Sequence, residues 1–171
     1  MSNDLRATVL GTILCGSCVV LQSTLLHWVA LRGVKPDLAL IVLVFVAVRR
    51  GSMTGQITGF ASGILEDLLS LSPVGFHALV RTVIGFLYGR MEGNIFLDPI
   101  LVPLLLTIVA TLLKGLLSSF AVVLFVLAAP GFKVFAGPLW IEVGYNAVLA
   151  PFLFALLGLV RPLKAKEKER I

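Results

Sequence analysis

Four glycines and an aspartate recur at four-residue intervals in one stretch of the chain: Gly51, Gly55, Gly59, Gly63 and Asp67. Four residues advance an α-helix by about 40° more than one full turn, so the glycines form a shallow groove that drifts slowly around the helix. In membrane helices, small residues at this spacing let a neighbouring backbone approach closely. A carboxylate at the end of such a groove is costly in a bilayer unless it has a partner. The series therefore predicts a packing surface, for another helix or for a partner protein, that ends in a polar site.

The composition places the chain in a membrane. Hydrophobic residues make up 58% of the 171 residues and charged residues 13%, and the mean hydropathy is +1.05, which leaves too little polar surface for a soluble domain. Spans of ~20 residues fit into this length about six times. We predict an all-α integral membrane protein with one transmembrane domain over residues 1–163 and a basic tail over residues 164–171. Hydropathy places the six helices at about residues 6–29, 36–50, 52–71, 74–90, 97–128 and 139–161.

The positions of Lys and Arg predict the topology. If both termini are cytoplasmic, nine of these residues lie inside: Arg6, Arg49, Arg50, Arg90, Arg161, Lys164, Lys166, Lys168 and Arg170. Three then lie outside: Arg32, Lys35 and Lys133. Cytoplasmic segments carry the excess of positive charge, so a six-helix bundle with both termini inside is favoured. The tail is expected to face anionic lipid, and docking to a cytoplasmic partner stays open. The cations do not form a patch interleaved with aromatic residues, so the net charge of +5 does not indicate nucleic-acid binding.

The fourth predicted helix repeats the four-residue pattern with His77, Arg81, Gly85 and Gly89. A tight turn at Ser72 and Pro73 makes this helix antiparallel to the third one, so the two patterned faces can meet. Their polar ends form a predicted cluster of Glu66, Asp67, His77 and Arg81. An ion pair between Asp67 and Arg81 that holds the two helices together is favoured over a proton relay or a catalytic acid–base pair. The cluster lies near the outer interface, where charge costs less, and it has no accompanying nucleophile or second pair of metal ligands.

Further polar residues fall in the membrane segments: Gln22, Asp37, Lys114, Glu142 and Asn146. Glu142 and Asn146 share one helix face at the i, i+4 spacing. Lys114 lies about halfway along the fifth predicted helix, where it can pair internally, extend to the interface or face a partner helix. The sequence leaves these three alternatives open. Gln22 is expected to serve helix packing through hydrogen bonds.

Metal and nucleotide sites are not indicated by the remaining motifs. Cys15 and Cys18 form a C-x-x-C motif. A zinc site would need a second pair of Cys or His ligands, which the chain lacks. We interpret both as small buried residues. The glycines from 51 to 63 lack the Gly-Lys-Ser/Thr ending of a phosphate-binding loop. No catalytic residue, metal ligand or cofactor is predicted.

The order and spacing of several short motifs resemble the family of the rod shape-determining protein MreD. These motifs are Gln22-Ser23-Thr24, Pro36-Asp37-Leu38, Arg50-Gly51, the glycines at 55, 59 and 63, Asp67-Leu68-Leu69, the turn from Ser72 to His77, Gly85, Gly89 and, more loosely, Asn146 and Pro151. The resemblance implies a non-enzymatic, multi-pass protein of the bacterial cytoplasmic (inner) membrane that belongs to the cell-wall elongation machinery. It implies MreC as the partner, with MreB, RodA and a class B penicillin-binding protein in the wider complex. Glu66 and Arg81 lie outside the family pattern, so their pairing carries no implication for the shared function.

Two other classes of function stay open. The family is similar in fold to the S components of energy-coupling-factor transporters, which bind vitamins. The small residues Ala7, Gly11 and Cys15 would suit docking on a transport partner, whereas the short outer loops argue against a covered ligand pocket. The third hypothesis is an intramembrane enzyme that uses Asp67 and His77. Self-association and the helix face that binds MreC are left undecided by the sequence.

Overall fold

The described part of the chain is helical. A computed structural model describes residues 3–24, 30–31, 33–70, 72–93, 100–124, 137–160 and 163. The helices are α1 (Asn3–Thr24), α2 (Leu38–Leu69), α3 (Phe76–Gly89), α4 (Leu101–Leu124) and α5 (Gly137–Gly158). All except the 14-residue α3 are long and apolar enough to cross a membrane. The predicted all-α architecture is confirmed for these residues, while the basic tail at 164–171 and the predicted helix ends at 25–29 and 125–128 lie outside them.

The prediction of six separate helices does not hold for the described residues, which form five. α2 occupies the place of the second and third predicted helices, because no loop separates them. A single residue, Gly51, interrupts the helical conformation with φ +87° and ψ 176°. This left-handed region favours glycine, which has no Cβ to clash with the backbone. We call residues 38–50 of this helix α2a and residues 52–69 α2b.

The two halves of α2 fold back on each other at Gly51. Asp37 and Glu66 lie near opposite ends of α2, yet both contact Nη2 of Arg81, at 3.1 and 2.5 Å. A straight helix would separate two such residues by ~44 Å along its axis. The change of direction at one glycine therefore brings the two ends of α2 together around one guanidinium group.

The core of the bundle is α2a. Every residue from Ala39 to Val48 is buried, and the segment is apolar on all its faces, as expected for a helix surrounded by others. α2 contacts each of the other four helices. Outward-facing residues of α4 and α5, such as Val123 and Phe152, are instead large, apolar and exposed. This distribution suits a bundle whose exterior meets lipid.

Paired contacts give the relative directions of the helices. On α1 and α2b, Thr8 lies 3.1 Å from Thr54 and Thr12 lies 3.5 Å from Thr58, measured between hydroxyl oxygens. Residue numbers rise together along both helices, so α1 and α2b are parallel. These threonines form a ladder of hydroxyl contacts that the sequence interpretation did not include, although the i, i+4 spacing of Thr54 and Thr58 is a visible signal.

α4 and α5 form an antiparallel pair. Lys114 Nζ lies 2.6 Å from Glu142 Oε1, and Asn146 Nδ2 donates to Thr111 Oγ1 at 3.1 Å. Residue numbers fall on α4 as they rise on α5, which fixes the opposite directions of the two helices. Lys114 is thus paired within the chain, which is one of the three alternatives that the sequence left open.

Candidate functional site

The glycine series lies on the contact between α2b and α3. A Cβ atom added to Gly59 or Gly63 would overlap the backbone of Arg81 or Ala78, respectively. On α3, a Cβ at Gly85 would overlap the backbone of Gly55. In these contacts, residues with higher numbers on α2b face residues with lower numbers on α3, so the two helices are antiparallel. These glycines allow the two backbones to touch, and the surface that they form is filled by the chain itself.

Gly51 and Gly89 lie at one end of this contact and make other contacts than the glycines in its middle. Gly51 is the corner of α2 rather than a helical groove position, and a Cβ there would overlap the carboxylate of Glu92. Gly89 packs against the backbone of Ser52, immediately after that corner. The interpretation of Gly51 as part of a regular helical groove is therefore wrong, because the residue has a non-helical φ.

Asp67 holds the N-terminus of α3. Its carboxylate accepts hydrogen bonds from the backbone N–H groups of Gly75 at 2.8 Å, His77 at 2.9 Å and Ala78 at 3.3 Å. Its Oδ1 also lies 2.8 Å from Nδ1 of the His77 ring. The first N–H groups of a helix have no partners within the helix and attract negative charge. Asp67 is thus a buried anchor of the turn between α2b and α3.

Arg81 pairs with two carboxylates, and neither of them is Asp67. Its Nη2 atom lies 3.1 Å from Asp37 Oδ1 and 2.5 Å from Glu66 Oε2. The side chain is 2% exposed. The Asp67–Arg81 pair expected from the sequence is wrong, because the carboxylate of Asp67 is occupied by the turn before α3. Glu66, one residue away on α2b, takes its place.

Asp37 is the centre of the polar interactions. Its Oδ1 accepts from the backbone N–H of Leu40 at 3.0 Å, which makes Asp37 the N-cap of α2. Its Oδ2 lies 2.6 Å from Nζ of Lys114. Its backbone N–H donates to Oδ1 of Asn146 at 2.8 Å. Asp37 therefore connects α2a to α3, α4 and α5.

These contacts form one chain of alternating charges, which we call the charged network: Glu66, Arg81, Asp37, Lys114 and Glu142. Each cation lies between two carboxylates, and the central carboxylate lies between two cations. Removing one partner of a buried ion pair is strongly destabilising, because the other charge is left without compensation. The network therefore connects both halves of α2 with α3, α4 and α5.

Gln22, predicted as a polar packing residue, and Cys15, predicted as a small buried residue, both face α2a from α1. Oε1 of Gln22 accepts from the backbone N–H of Ala39 at 3.4 Å, and Sγ of Cys15 donates to the carbonyl oxygen of the same residue at 3.1 Å. Cys18 is half-buried. In the described residues, no group of three or more His, Cys, Asp or Glu side chains has an arrangement that could hold a metal ion.

The central role of Asp37 was missed by the sequence interpretation. The residue was recognised as a polar position and as part of the Pro36-Asp37-Leu38 motif, although Asp directly after Pro36 and before an apolar run is a typical helix N-cap. That pattern predicts a local backbone contact. It does not predict Arg81 or Lys114 as partners, because those are 44 and 77 residues away in the sequence.

Comparison with known proteins gives one match. The model of the family described as rod shape-determining protein MreD matches residues 3–160. No curated protein and no solved structure matches the chain. The matched range includes every residue of the charged network and all of the glycines on the contact between α2b and α3.

Proposed function

The chain belongs to the family of the rod shape-determining protein MreD, and from this premise we propose that it is a non-enzymatic membrane scaffold of the bacterial cell-wall elongation complex. It acts by binding MreC, with MreB, RodA and a class B penicillin-binding protein in the wider complex. The observation that carries the proposal is the family match over residues 3–160. A role in rod shape determination follows from the family itself, and the scaffold mechanism and the partners are the proposed part.

The geometry of the charged network supports a scaffold. A reaction centre would need polar groups that are free to meet a substrate. Arg81, Asp37 and Lys114 instead contact one another or Glu66 and Glu142 at 2.5 to 3.1 Å. Asp67 and His77, which an intramembrane enzyme would use, are engaged with the turn before α3. In these contacts, the charged side chains hold the helices together.

The proposed topology has six crossings of the inner membrane, with both termini in the cytoplasm and one transmembrane domain over residues 1–163. The reversal at Gly51 lets α2a and α2b cross separately. Like the 13-residue α2a, α3 is a short crossing, because its 14 residues rise only ~21 Å, less than the ~30 Å hydrocarbon core. Its backbone contact with α2b and the capped turn at Asp67 support a short crossing within the bundle.

Depletion and co-purification test the function together. We expect depletion of the protein in a rod-shaped host to give rounded cells, and we expect the wild-type gene to restore rods. A tagged chain in mild detergent should co-purify with MreC, whereas an unrelated tagged six-helix membrane protein should not. Unchanged cell shape together with no MreC would contradict the proposal. A vitamin that co-purifies in stoichiometric amount would favour the S-component alternative instead.

A further inference from the structure

The five helices divide into two units, each held together by its own contacts. In the first unit, α3 packs on α2b through the glycines, and α1 packs on α2b through the threonine ladder. In the second unit, α4 and α5 are joined by the pair of Lys114 and Glu142 and by the bond from Asn146 to Thr111. α4 and α5 make their most extensive helix contact with each other.

The contacts between the units include several polar ones beside the apolar packing. Asp37 meets Lys114 at 2.6 Å, and its backbone N–H meets Asn146 at 2.8 Å. The hydroxyl of Tyr88 on α3 donates to the carbonyl oxygen of Leu106 on α4 at 2.8 Å. Toward the other end, the rings of Phe45 and Phe154 pack edge to face, a geometry favoured between aromatic rings.

The buried face of α4 joins the apolar core through Leu106 and several small side chains. Most of its fully buried side chains are small: Thr107, Ala110, Thr111 and Ala121. The hydroxyl of Thr107 is buried and has no hydrogen-bond partner among the described residues. Small side chains make few van der Waals contacts, and an unpaired buried hydroxyl is unfavourable. The polar contacts therefore contribute to the stability of this boundary, together with the packing of Leu106 and Phe154.

The distribution of charge makes this boundary separable. If the units part, Arg81 keeps Glu66 and Asp37, while Lys114 keeps Glu142. If Asp37 were the sole partner of Lys114, separation would leave this half-buried cation without any carboxylate and would be more costly. Here every cation retains at least one carboxylate on its own side of the boundary.

We propose that the contact between Asp37 and Lys114 is a releasable latch between the α1–α3 unit and the α4–α5 hairpin. The latch holds the closed bundle at the end where Asp37 begins α2, and its release lets the hairpin move away there. A partner that binds the open form more tightly shifts the population toward it. The latch consists of a contact within the chain and does not depend on which partner the protein has.

Distance measurements between spin labels on the two units test the latch. Leu79 on α3 and Leu116 on α4 are both exposed and suit labelled cysteines, in a chain whose Cys15 and Cys18 are replaced by alanine. Pulsed electron paramagnetic resonance on the full chain in lipid nanodiscs would compare this background with Asp37→Asn. Asparagine keeps the N-cap of α2 but removes the charge that attracts Lys114. We expect Asp37→Asn to add a longer-distance population, whereas the background gives one short distance.

Glu142→Gln is the matched control. Both substitutions remove one of the two carboxylates of Lys114, but Glu142 lies in the same unit as the lysine. We expect the control to keep the single short distance. Equal distance distributions in the two variants, or an unchanged distribution in Asp37→Asn, would overturn the proposal. If Asp37→Asn does not accumulate, Lys114→Gln removes the charge from the other side of the same contact and must lengthen the distance for the latch to stand.

Discussion

Asp67 and His77 are joined twice, because Oδ1 of the aspartate contacts both the backbone N–H of His77 at 2.9 Å and the ring Nδ1 at 2.8 Å. The same carboxylate also accepts from the backbone of Gly75, which has φ +102°. One buried side chain thus fixes the turn, the start of α3 and the orientation of an imidazole. These hydrogen bonds to the turn and to the start of α3 explain why Asp67 lies at the end of the glycine series.

Replacing Asp67 should destabilise the turn without involving Arg81. Asp67→Leu leaves backbone N–H groups without their acceptor, and we expect a loss of about 1–3 kcal/mol in the free energy of unfolding. A double-mutant cycle with His77→Ala should show coupling, whereas a cycle with Arg81→Leu should be nearly additive. Reversible unfolding in mixed detergent measures both cycles. Recovery of stability when Arg81→Leu is added to Asp67→Leu would contradict the observed pairing.

Gly59→Leu and Gly63→Leu should separate α3 from α2b. A leucine side chain at either position would occupy the space of the facing backbone, and overpacking of this kind costs about 1–3 kcal/mol or more. Gly144→Leu is the matched control, because a Cβ at Gly144 on α5 meets no atom within 4 Å. Thermal unfolding should show lower midpoints for the first two variants only. Equal stability of all three chains would mean that the backbone contact is unimportant.

Arg81→Leu should be among the most damaging single substitutions. It leaves the buried Asp37 and the half-buried Glu66 without their shared cation, and breaking a buried ion pair costs on the order of 3–5 kcal/mol. Adding Glu66→Leu should recover part of the loss, because Asp37 still has Lys114. Membrane abundance and unfolding free energy measure the effect. A double variant as unstable as the sum of its parts would argue against the pairing of Glu66 with Arg81.

Cysteine labelling should decide the topology around α3. Val74 and Met91 are exposed residues on the two sides of this helix. In a chain without Cys15 and Cys18, a cysteine at Val74 should react with a membrane-impermeant maleimide on intact spheroplasts, whereas one at Met91 should react only after permeabilisation. Labelling of both sites on intact spheroplasts would exclude the crossing of α3. Cysteines at Ser2 and Gly131, which lie outside the described residues, should be protected and reactive, respectively.

The sequence was informative where the physical signal is local. The glycine spacing identified α2b and α3 as neighbours, because small residues at four-residue intervals have one dominant use in membrane helices. Hydropathy placed the boundary between the second and third predicted helices at residue 51, but it gave no sign that a single residue of positive φ, and not a loop, joins them. The five helices of the described residues differ from the six predicted for that reason.

The polar contacts were harder to predict because they connect distant parts of the chain. Glu66 and Asp67 are adjacent acidic residues, and a small rotation of α2b decides which one faces Arg81. The short turn before α3 offers several backbone N–H groups to Asp67, and this local demand leaves Glu66 for the arginine. The partners of Lys114 depend on how α4 and α5 pack on α2a, which no single-helix pattern specifies.

The charged network also constrains how the protein is made. Asp37 enters the membrane long before its partners, since Arg81 follows 44 residues later and Lys114 follows 77 residues later. At a synthesis rate of about 5–20 residues per second, the first of these waits lasts several seconds. During that time the nascent helices carry a carboxylate that has no cation beside it. The ribosome must therefore complete most of the chain before every charge of the network has its partner, so the final fold depends on the arrival of its last two helices.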